Sequence, residues 1–514
     1  MIFFRFIIVL IFVCAPRLSA ERINQEGRIL GALPVVTNAI LFNTSNADAV
    51  VSALQIYPVT NPWNECISNR PVLVNSDAMM ININTNLVAA NRSLIAEYEM
   101  NFILAPTNQP LVPMTFVDYP DDSDLNGGVY PAGLYPIPTS QPIETWPQGL
   151  ILNEGTNFTV TQWQADTAIG GDRHSIIVQP GNGADWEAWQ ALRIGTNWQA
   201  SNGAIFNLNT NGLRPDGLTS GDAAGLPMFP ALVRYDEAER GMVEHALRIV
   251  VKKSRKQHIY PATHDAASTP ATQTNVPAMG QRLRLKASYV ITNSWTTEEK
   301  AVLLALKKYG ALVADNGNYF SISVTPDDRW PANCFNHLTS VAVTNFEAVQ
   351  STGTNEGPRS AGAPVANAGA DFTAGLAQTV PLNGAVIFSN VSPVIQWKKY
   401  SGPGTVTFAN APLTNTTATF SATGIYTLEL SADDGLHATA YDAVVVTVAN
   451  AISVSIARAG TNVNFTWTGG TAPFVLERTD ALPASFWSGV VTTSLQTASL
   501  PMTNVKSFFR VKAQ

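Results

Sequence analysis

Hydrophobic positions along the chain fall mostly into short alternating runs rather than long helical stripes. Segments such as Ser175-Ile176-Ile177-Val178, Ala246 to Val251 and Gln281 to Val290 are separated by Asn, Gly, Pro and Asp turns, the pattern of strands joined by turns. In the last of these, Arg282, Arg284 and Lys286 alternate with Leu283, Leu285 and Ala287. This predicts a half-exposed strand whose cationic face meets solvent or lines a cleft. One helix interrupts the β pattern: Thr296 and Glu299 form a capping box, Val302, Leu303 and Leu306 an apolar stripe, Lys307 and Lys308 a basic last turn, and Gly310 a C-terminal stop. The fold class expected is mainly β: a large β-sandwich-like N-terminal domain with one packed helix, then smaller β-sandwich units.

Further along, the turn-forming run Ser351 to Gly362 breaks the periodicity and reads as a linker. The divisions predicted are a signal peptide at 1–20, a β-rich catalytic or binding domain at 21–350, a linker at 351–363, an immunoglobulin-like domain at 364–449 and a small β module at 450–514. Within the large domain the stretch from Asp118 to Pro147 is too extended for simple hairpins, and loops of that length are often functional.

The 364–449 segment carries Pro364-Val365-Ala366-Asn367-Ala368-Gly369-Ala370-Asp371, Leu382-Asn383-Gly384, Trp397, Ser401-Gly402-Pro403-Gly404, Gly424-Ile425-Tyr426-Thr427-Leu428, Asp433-Asp434-Gly435 and Asp442. This series resembles a PKD-type immunoglobulin-like domain. The resemblance implies an accessory module that spaces or presents a partner domain, with Trp397 and Tyr426 in its core. Asp433-Asp434 reads as a turn, with structural calcium as the other possibility. In the tail, Trp467 and Trp487 are core aromatics or glycan contacts.

Export is expected from the start of the chain: Arg5, an apolar run from Ile7 to Val13, and Leu18-Ser19-Ala20 as a cleavage site. No apolar run is long enough to span a membrane. Loss of Arg5 and Arg17 moves the formal charge from -7 to about -9, and this sparse acidic balance argues against nucleic acid as a partner. The basic run Lys252 to His258 reads as a solvated hairpin tip. After cleavage Cys66 and Cys334 remain, and two readings stand: one bridge, or two buried thiols.

Chemistry concentrates between Asp172 and His264. Asp172, His174, Asp216, Arg234, Asp236, Glu237 and His245 are the candidate catalytic side chains, and Trp186, Trp189, Tyr235, Arg248 and His264 the candidate substrate contacts. Carboxylates able to act as acid, base or nucleophile, tuned by His and Arg beside aromatic faces, are what glycan chemistry requires. Asp265 and Glu187 are read instead as capping or pairing acids.

The histidine spacing fits no compact zinc signature, and no nucleophile elbow, P-loop or dinucleotide fingerprint occurs. No cofactor is expected, and metal use is left open. The string from Arg214 through Ala224-Gly225-Leu226-Pro227, Arg234-Tyr235-Asp236-Glu237 and His245-Ala246-Leu247-Arg248 to Pro261-Ala262-Thr263-His264 resembles a group of exported microbial proteins often joined to carbohydrate-binding modules. That implies a polysaccharide or cell-surface glycan as partner. The expectation is an exported polysaccharide-active enzyme, a glycoside hydrolase or lyase; the alternative is a non-catalytic secreted or surface glycan-binding protein.

Overall fold

The computed structural model describes residues 21–147, 158–169, 171–389, 391–470, 472–503 and 506–513. The expected signal segment at 1–20 lies outside them. The chain divides into two compact units, one of Asn24–Ala361 with Leu436–Ala438, the other containing Gly362–Gly435 and Thr439–Gln514. It is mainly β, with 3-10 turns and five α-helices among the described residues. None of these helices is long and apolar enough to cross a membrane.

A six-stranded mixed sheet is central to the larger unit, in the order Phe346–Ala348, Arg282–Leu285, Ala311–Asn316, Leu247–Val251, Phe320–Val324, Leu94–Tyr98. Side chains alternate across a sheet, and here the alternation separates chemistry. Leu247, Ile249, Val251, Phe320, Ile322 and Val324 are buried in an apolar core, whereas the intervening positions Arg248, Ser321, Ser323 and Glu97 are polar.

The expected helix forms as Thr297–Lys308. Thr296 Oγ1 accepts from Glu299 N (3.0 Å) and Glu299 Oε2 accepts from Thr296 N (3.0 Å), while Val302, Leu303 and Leu306 are buried against the same core. Gly310 follows with φ 66°, and a Cβ there would lie 2.3 Å from Leu283 O, so only glycine fits the stop.

Four more helices join it, at Ser45–Ala53, Ser76–Asn86, Val160–Ala165 and Tyr235–Glu239. Two are shorter than two turns, and Ser76–Asn86 hides in the sequence because Ile81-Asn82-Ile83-Asn84 mimics a strand. Its buried residues Ser76, Met79, Met80 and Ile83 keep helical spacing all the same.

A second core lies between a five-stranded sheet, ordered Asn202–Asn207, Ala184–Trp189, Ser175–Gln179, Ile103–Leu104, Ile40–Leu41, and a four-stranded one, ordered Leu192–Ile194, Asn197–Ala200, Val112–Phe116, Ala132–Tyr135. Phe116, Tyr135, Trp163, Trp186 and Trp198 fill it. The Asp118–Pro147 stretch is therefore no open loop. It contributes the Ala132–Tyr135 strand, which pairs with Val112–Phe116.

Three expectations are corrected in this unit. The Arg282–Leu285 strand is buried on both faces, because its cations are spent on backbone. Arg282 donates to Tyr309 O (2.9 Å) and Pro62 O (2.6 Å), and Arg284 to Ile67 O (2.6 Å) and to Glu347 (2.5 Å). The run 351–361 is not a linker: Thr352 Oγ1 and Arg359 Nη2 donate to buried Glu65 (2.9 and 3.0 Å), tying it to the large unit. Cys66 and Cys334 are both free, the first exposed and the second buried. In the basic run, Lys252, Lys253 and Lys256 are exposed, but Arg255 is buried and donates to Val276 O (2.6 Å).

In the second unit, sheets ordered Phe372–Gly375, Ala440–Ala449, Gly424–Asp433, Val394–Ser401 and Val380–Asn383, Asn415–Phe420, Val406–Phe408 enclose Trp397, Phe420, Tyr426 and Leu430. Trp397 Nε1 donates to Thr414 O (3.1 Å) and Tyr426 Oη to Ala422 O (2.8 Å), so both rings are core with their polar ends satisfied. Asp433 Oδ1 accepts from Gly435 N (2.8 Å), the geometry of a turn. The tail folds as two three-stranded sheets around Phe465, Trp467, Phe474 and Leu476. Trp467 is thus a core residue, and Trp487 lies against the Arg510 guanidinium, 4.3 Å from the ring centre.

Candidate functional site

The polar positions of the six-stranded sheet converge on Arg248. Its guanidinium is gripped by Asp222 through Nε (3.0 Å) and Nη2 (2.8 Å), and Nη1 donates to Glu99 Oε1 (3.1 Å) and Ser323 Oγ (2.6 Å). Asp315, brought over by a bulge between Ile249 and Val250, stands 3.7 Å from Nη2. Arg248 and Asp222 are buried, Glu99 nearly so, while Asp315 keeps 30% of its side chain exposed and Glu97 is half-buried. The centre therefore reaches solvent at Asp315 and Glu97.

A loop from Ser220 to Phe229 carries Asp222 into place. Ser220 Oγ donates to Asp222 O (3.0 Å) and Leu226 O (2.7 Å), Ala224 N to Ala314 O (3.0 Å), and Met228 N and Phe229 N to Glu187 Oε1 (2.7 and 2.9 Å). The same loop offers Gly221 O to His174 Nε2 (3.0 Å), while His174 Nδ1 pairs with Glu144 Oε2 (2.9 Å). Arg173, just before it, has a left-handed backbone with φ 57°. Its guanidinium donates to the carbonyls of Trp163, Gln164, Asp166, Ile169 and Ala191, which holds this unusual conformation.

Five carboxyl groups, from Glu97, Glu99, Glu144, Asp222 and Asp315, thus surround Arg248 and His174. Negative charge in excess in a buried setting raises proton affinity. Burial pushes Glu99 up; Arg248 opposes, Glu97 and Glu144 reinforce, and the result is about 8. Burial and Asp222 raise Asp315 to about 6, and burial raises Glu97. For His174, burial disfavours the cation, but Glu144 outweighs it and raises the imidazole to about 9. At neutral pH the centre therefore holds a protonated carboxyl, Glu99, close to an ionised one, Asp222 in its two-point grip on Arg248, the arrangement from which acid–base chemistry is built.

Beneath the loop lies an acid pair. Asp185 and Glu187, alternate residues on one strand, are fully buried. No donor reaches either oxygen of Asp185 or Glu187 Oε2, so the two carboxyls share a proton. Burial, then Glu187, raises Asp185 well above its ordinary value; burial raises Glu187 to about 7 against the Met228 and Phe229 amides. Glu187, read from sequence as a capping acid, is thus a strand acid that anchors the loop.

The residues singled out from sequence separate into distinct places. His174 and Arg248 belong to the Arg248 centre, and Asp172 is exposed beside it. Arg234, Asp236, Glu237 and His245 form a second, buried ion cluster: Glu237 Oε1 accepts from Arg234 Nη2 (2.7 Å) and pairs with His245 Nε2 (3.0 Å), and Arg240 Nη1 reaches Asp236 Oδ2 (2.7 Å). Burial opposes ionisation of Glu237, but Arg234 and His245 overcome it and lower its pKa to about 2. Closed from solvent and charge-paired, this cluster has the form of a structural brace.

Asp216 is exposed and meets His258 Nε2 (2.8 Å), apart from both groups, and Asp265 lies 3.9 Å from the same ring. His264 pairs with Ala223 O (2.8 Å). Tyr235 packs edge-on against Trp330, 5.2 Å between ring centres. Trp186 is core, its Nε1 donating to Gln179 Oε1 (3.1 Å), which removes it as a substrate contact. Trp189 is half-buried and packs with exposed Tyr119 at 6.0 Å, and its neighbour Gln190 donates to Asp172 O (3.0 Å), two residues from His174.

Glu97, Glu99, Glu144, Asp222 as a ligand of Arg248, and Asp315 were not picked out from sequence. The one available signal was polar residues recurring at alternate positions in strands otherwise apolar, Glu97/Glu99 and Ser321/Ser323. Among the described residues no cluster of His, Cys, Asp and Glu is arranged to hold a metal ion.

The sandwich described above for the second unit is immunoglobulin-like. Residues 368–448 match a PKD domain family, and this segment is a PKD domain. Among solved structures, the PKD domain of KIAA 1837 protein is 25% identical over 19% of this chain and 91% of its own, with a TM-score of 0.15. Titin domains A168–A170 are 18% identical over 29% of this chain and 59% of theirs, with a TM-score of 0.17. The D00-D0 domain of intimin is 13% identical over 29% and 86%, with a TM-score of 0.17. No curated protein matches the chain.

Proposed function

We propose that the protein is an exported polysaccharide-active enzyme whose acid–base chemistry is carried by the Arg248 centre of the large unit. The single observation behind this reading is the accumulation of five carboxyl groups around one arginine, with their protonation states driven apart and with an edge open to solvent at Asp315 and Glu97. In this mechanism Glu99 donates a proton to the leaving oxygen, while Glu97 or Asp315 at the rim activates water. Asp222 keeps Arg248 oriented, and Arg248 stabilises the carboxylate that Glu99 becomes. The Tyr119–Trp189 aromatic pair beside Asp172 offers a face for a sugar ring. An accessory PKD domain fits a chain that works on an extended polymer.

The test is release of reducing ends from a panel of neutral and acidic polysaccharides by the full chain, Glu99→Gln and Asp315→Asn. Loss of activity by about 100-fold or more in Glu99→Gln, with the melting temperature nearly unchanged, is the expected result. A second reading, glycan binding without turnover, is favoured by the depth at which Arg248, Asp222 and Glu144 are buried. Binding of a polymer that the intact chain never cleaves decides for it.

A further inference from the structure

Away from the Arg248 centre, three arginines of the large unit share one carboxylate. Buried Glu65 accepts from Arg70 Nε and Nη2 (3.1 and 2.6 Å), from Arg359 Nη2 (3.0 Å) and from Thr352 Oγ1 (2.9 Å). Arg282 is buried in the same field: burial lowers its pKa, Glu65 opposes, Arg359 and Arg70 add to the fall, and it reaches about 10. Three guanidiniums against one carboxylate leave an excess of positive charge. Glu356, on the same segment as Arg359, is exposed and accepts from Gly353 N (3.1 Å), and Glu347 is taken by Arg284.

Buried charge without a counter-charge is costly, and here the spare donors face a cleft. Arg282 spends two hydrogen bonds on Tyr309 O and Pro62 O, out of about five that a guanidinium can donate. Glu65, Tyr260, Arg282, Gln350, Ser351 and Thr352 line a partly open cleft. Ser351 Oγ is buried there without a partner, and the Tyr260 ring lies against Arg359 at 5.0 Å. A planar guanidinium beside a free hydroxyl matches the two oxygens of a small oxyanion. The geometry points to a binding site for such an oxyanion between Arg282 and Ser351, either a free inorganic ion or the carboxylate of a larger ligand. This site stands independently of the chemistry assigned to Arg248.

The experiment is thermal unfolding of the full chain in chloride-free buffer at constant ionic strength, titrated separately with sulfate, phosphate, acetate and glucuronate, with chloride as control. A saturable rise in melting temperature with at least one oxyanion, and none with chloride, is expected. Response to sulfate or phosphate alone identifies an inorganic ion, and response to acetate or glucuronate a carboxylate ligand. Ser351→Ala should weaken the affinity by about fivefold to tenfold, and Ser351→Glu, which tethers a carboxylate in the cleft, should raise the ion-free melting temperature and abolish the response. Absence of any saturable response, an equal response to chloride, or a response unchanged in Ser351→Ala overturns the assignment.

Discussion

Replacing Glu187 by glutamine should flatten the pH dependence of the large unit. Glu187 is fully buried and its pKa rises from 4.5 to about 7, with burial as the leading cause. A folded-state pKa above the unfolded one means that folding takes up a proton, so this contribution is fully present below pH 4.5 and is lost as pH rises through 7. At pH 7 the loss is about 3 kcal/mol, from a rise of roughly two and a half pKa units at about 1.4 kcal/mol each, less a few tenths for partial titration.

The side-chain amide introduced by Glu187→Gln keeps an oxygen for the Met228 and Phe229 amides and adds a donor toward Asp185, whose oxygens have none. It removes the titration and preserves the anchor. Urea unfolding of the full chain at pH 4 and pH 8 measures the effect, read by tryptophan fluorescence from Trp63, Trp163, Trp186 and Trp198, all buried in this unit. Wild type should lose about 3 kcal/mol more than Glu187→Gln between the two pH values. Parallel profiles would refute the shared-proton reading of the pair, since both chains would then titrate alike without the Glu187 carboxyl.

Three shorter expectations concern other regions. With no bridge, the chain from Glu21 should show one thiol reactive toward a disulfide reagent when native and two when unfolded, because Cys334 is buried with its thiol raised to about 11; an intact mass two hydrogens low would contradict it. A fragment ending at 361 should be more stable by at least about 2 kcal/mol than one ending at 350, since the shorter one strips Thr352 and Arg359 from Glu65; equal denaturation midpoints would count against this. Tyr426→Phe should lower the PKD transition in scanning calorimetry by the equivalent of about 1 kcal/mol, the worth of its bond to Ala422 O, and an unchanged transition would show that bond to be dispensable.

Features encoded within a few neighbouring residues were readable from sequence. The Thr296/Glu299 capping box and the PKD pattern of Trp397, Tyr426 and Asp433-Asp434-Gly435 need only local chemistry, and they form as read. The Arg282/Arg284 strand was misjudged because alternation shows which residues share a face but not what covers it; there the cations meet backbone carbonyls instead of water. The ion cluster of Arg234, Asp236, Glu237 and His245 was visible because its members are close in sequence. That proximity is also what lets them neutralise one another. The Arg248 centre draws on positions 97, 99, 144, 174, 222, 248 and 315, which meet only through sheet pairing and a loop crossing, so composition near Asp172 to His264 captured only His174, Asp222 and Arg248 of it.

The strand order of the central sheet also constrains when the molecule can become itself. Leu94–Tyr98 pairs in parallel with Phe320–Val324, and Arg282–Leu285 with Phe346–Ala348, so the sheet has no complete subset within the first three hundred residues. Pairings this distant are slow to form because the loop must close before any contact rewards it. A ribosome must release nearly the whole large unit before Glu97 can find Ser323, and until then its strand edges stay unpaired. The nascent chain is therefore a substrate for chaperones over most of its synthesis, and a chain in that state is still loose enough to be threaded through a narrow channel.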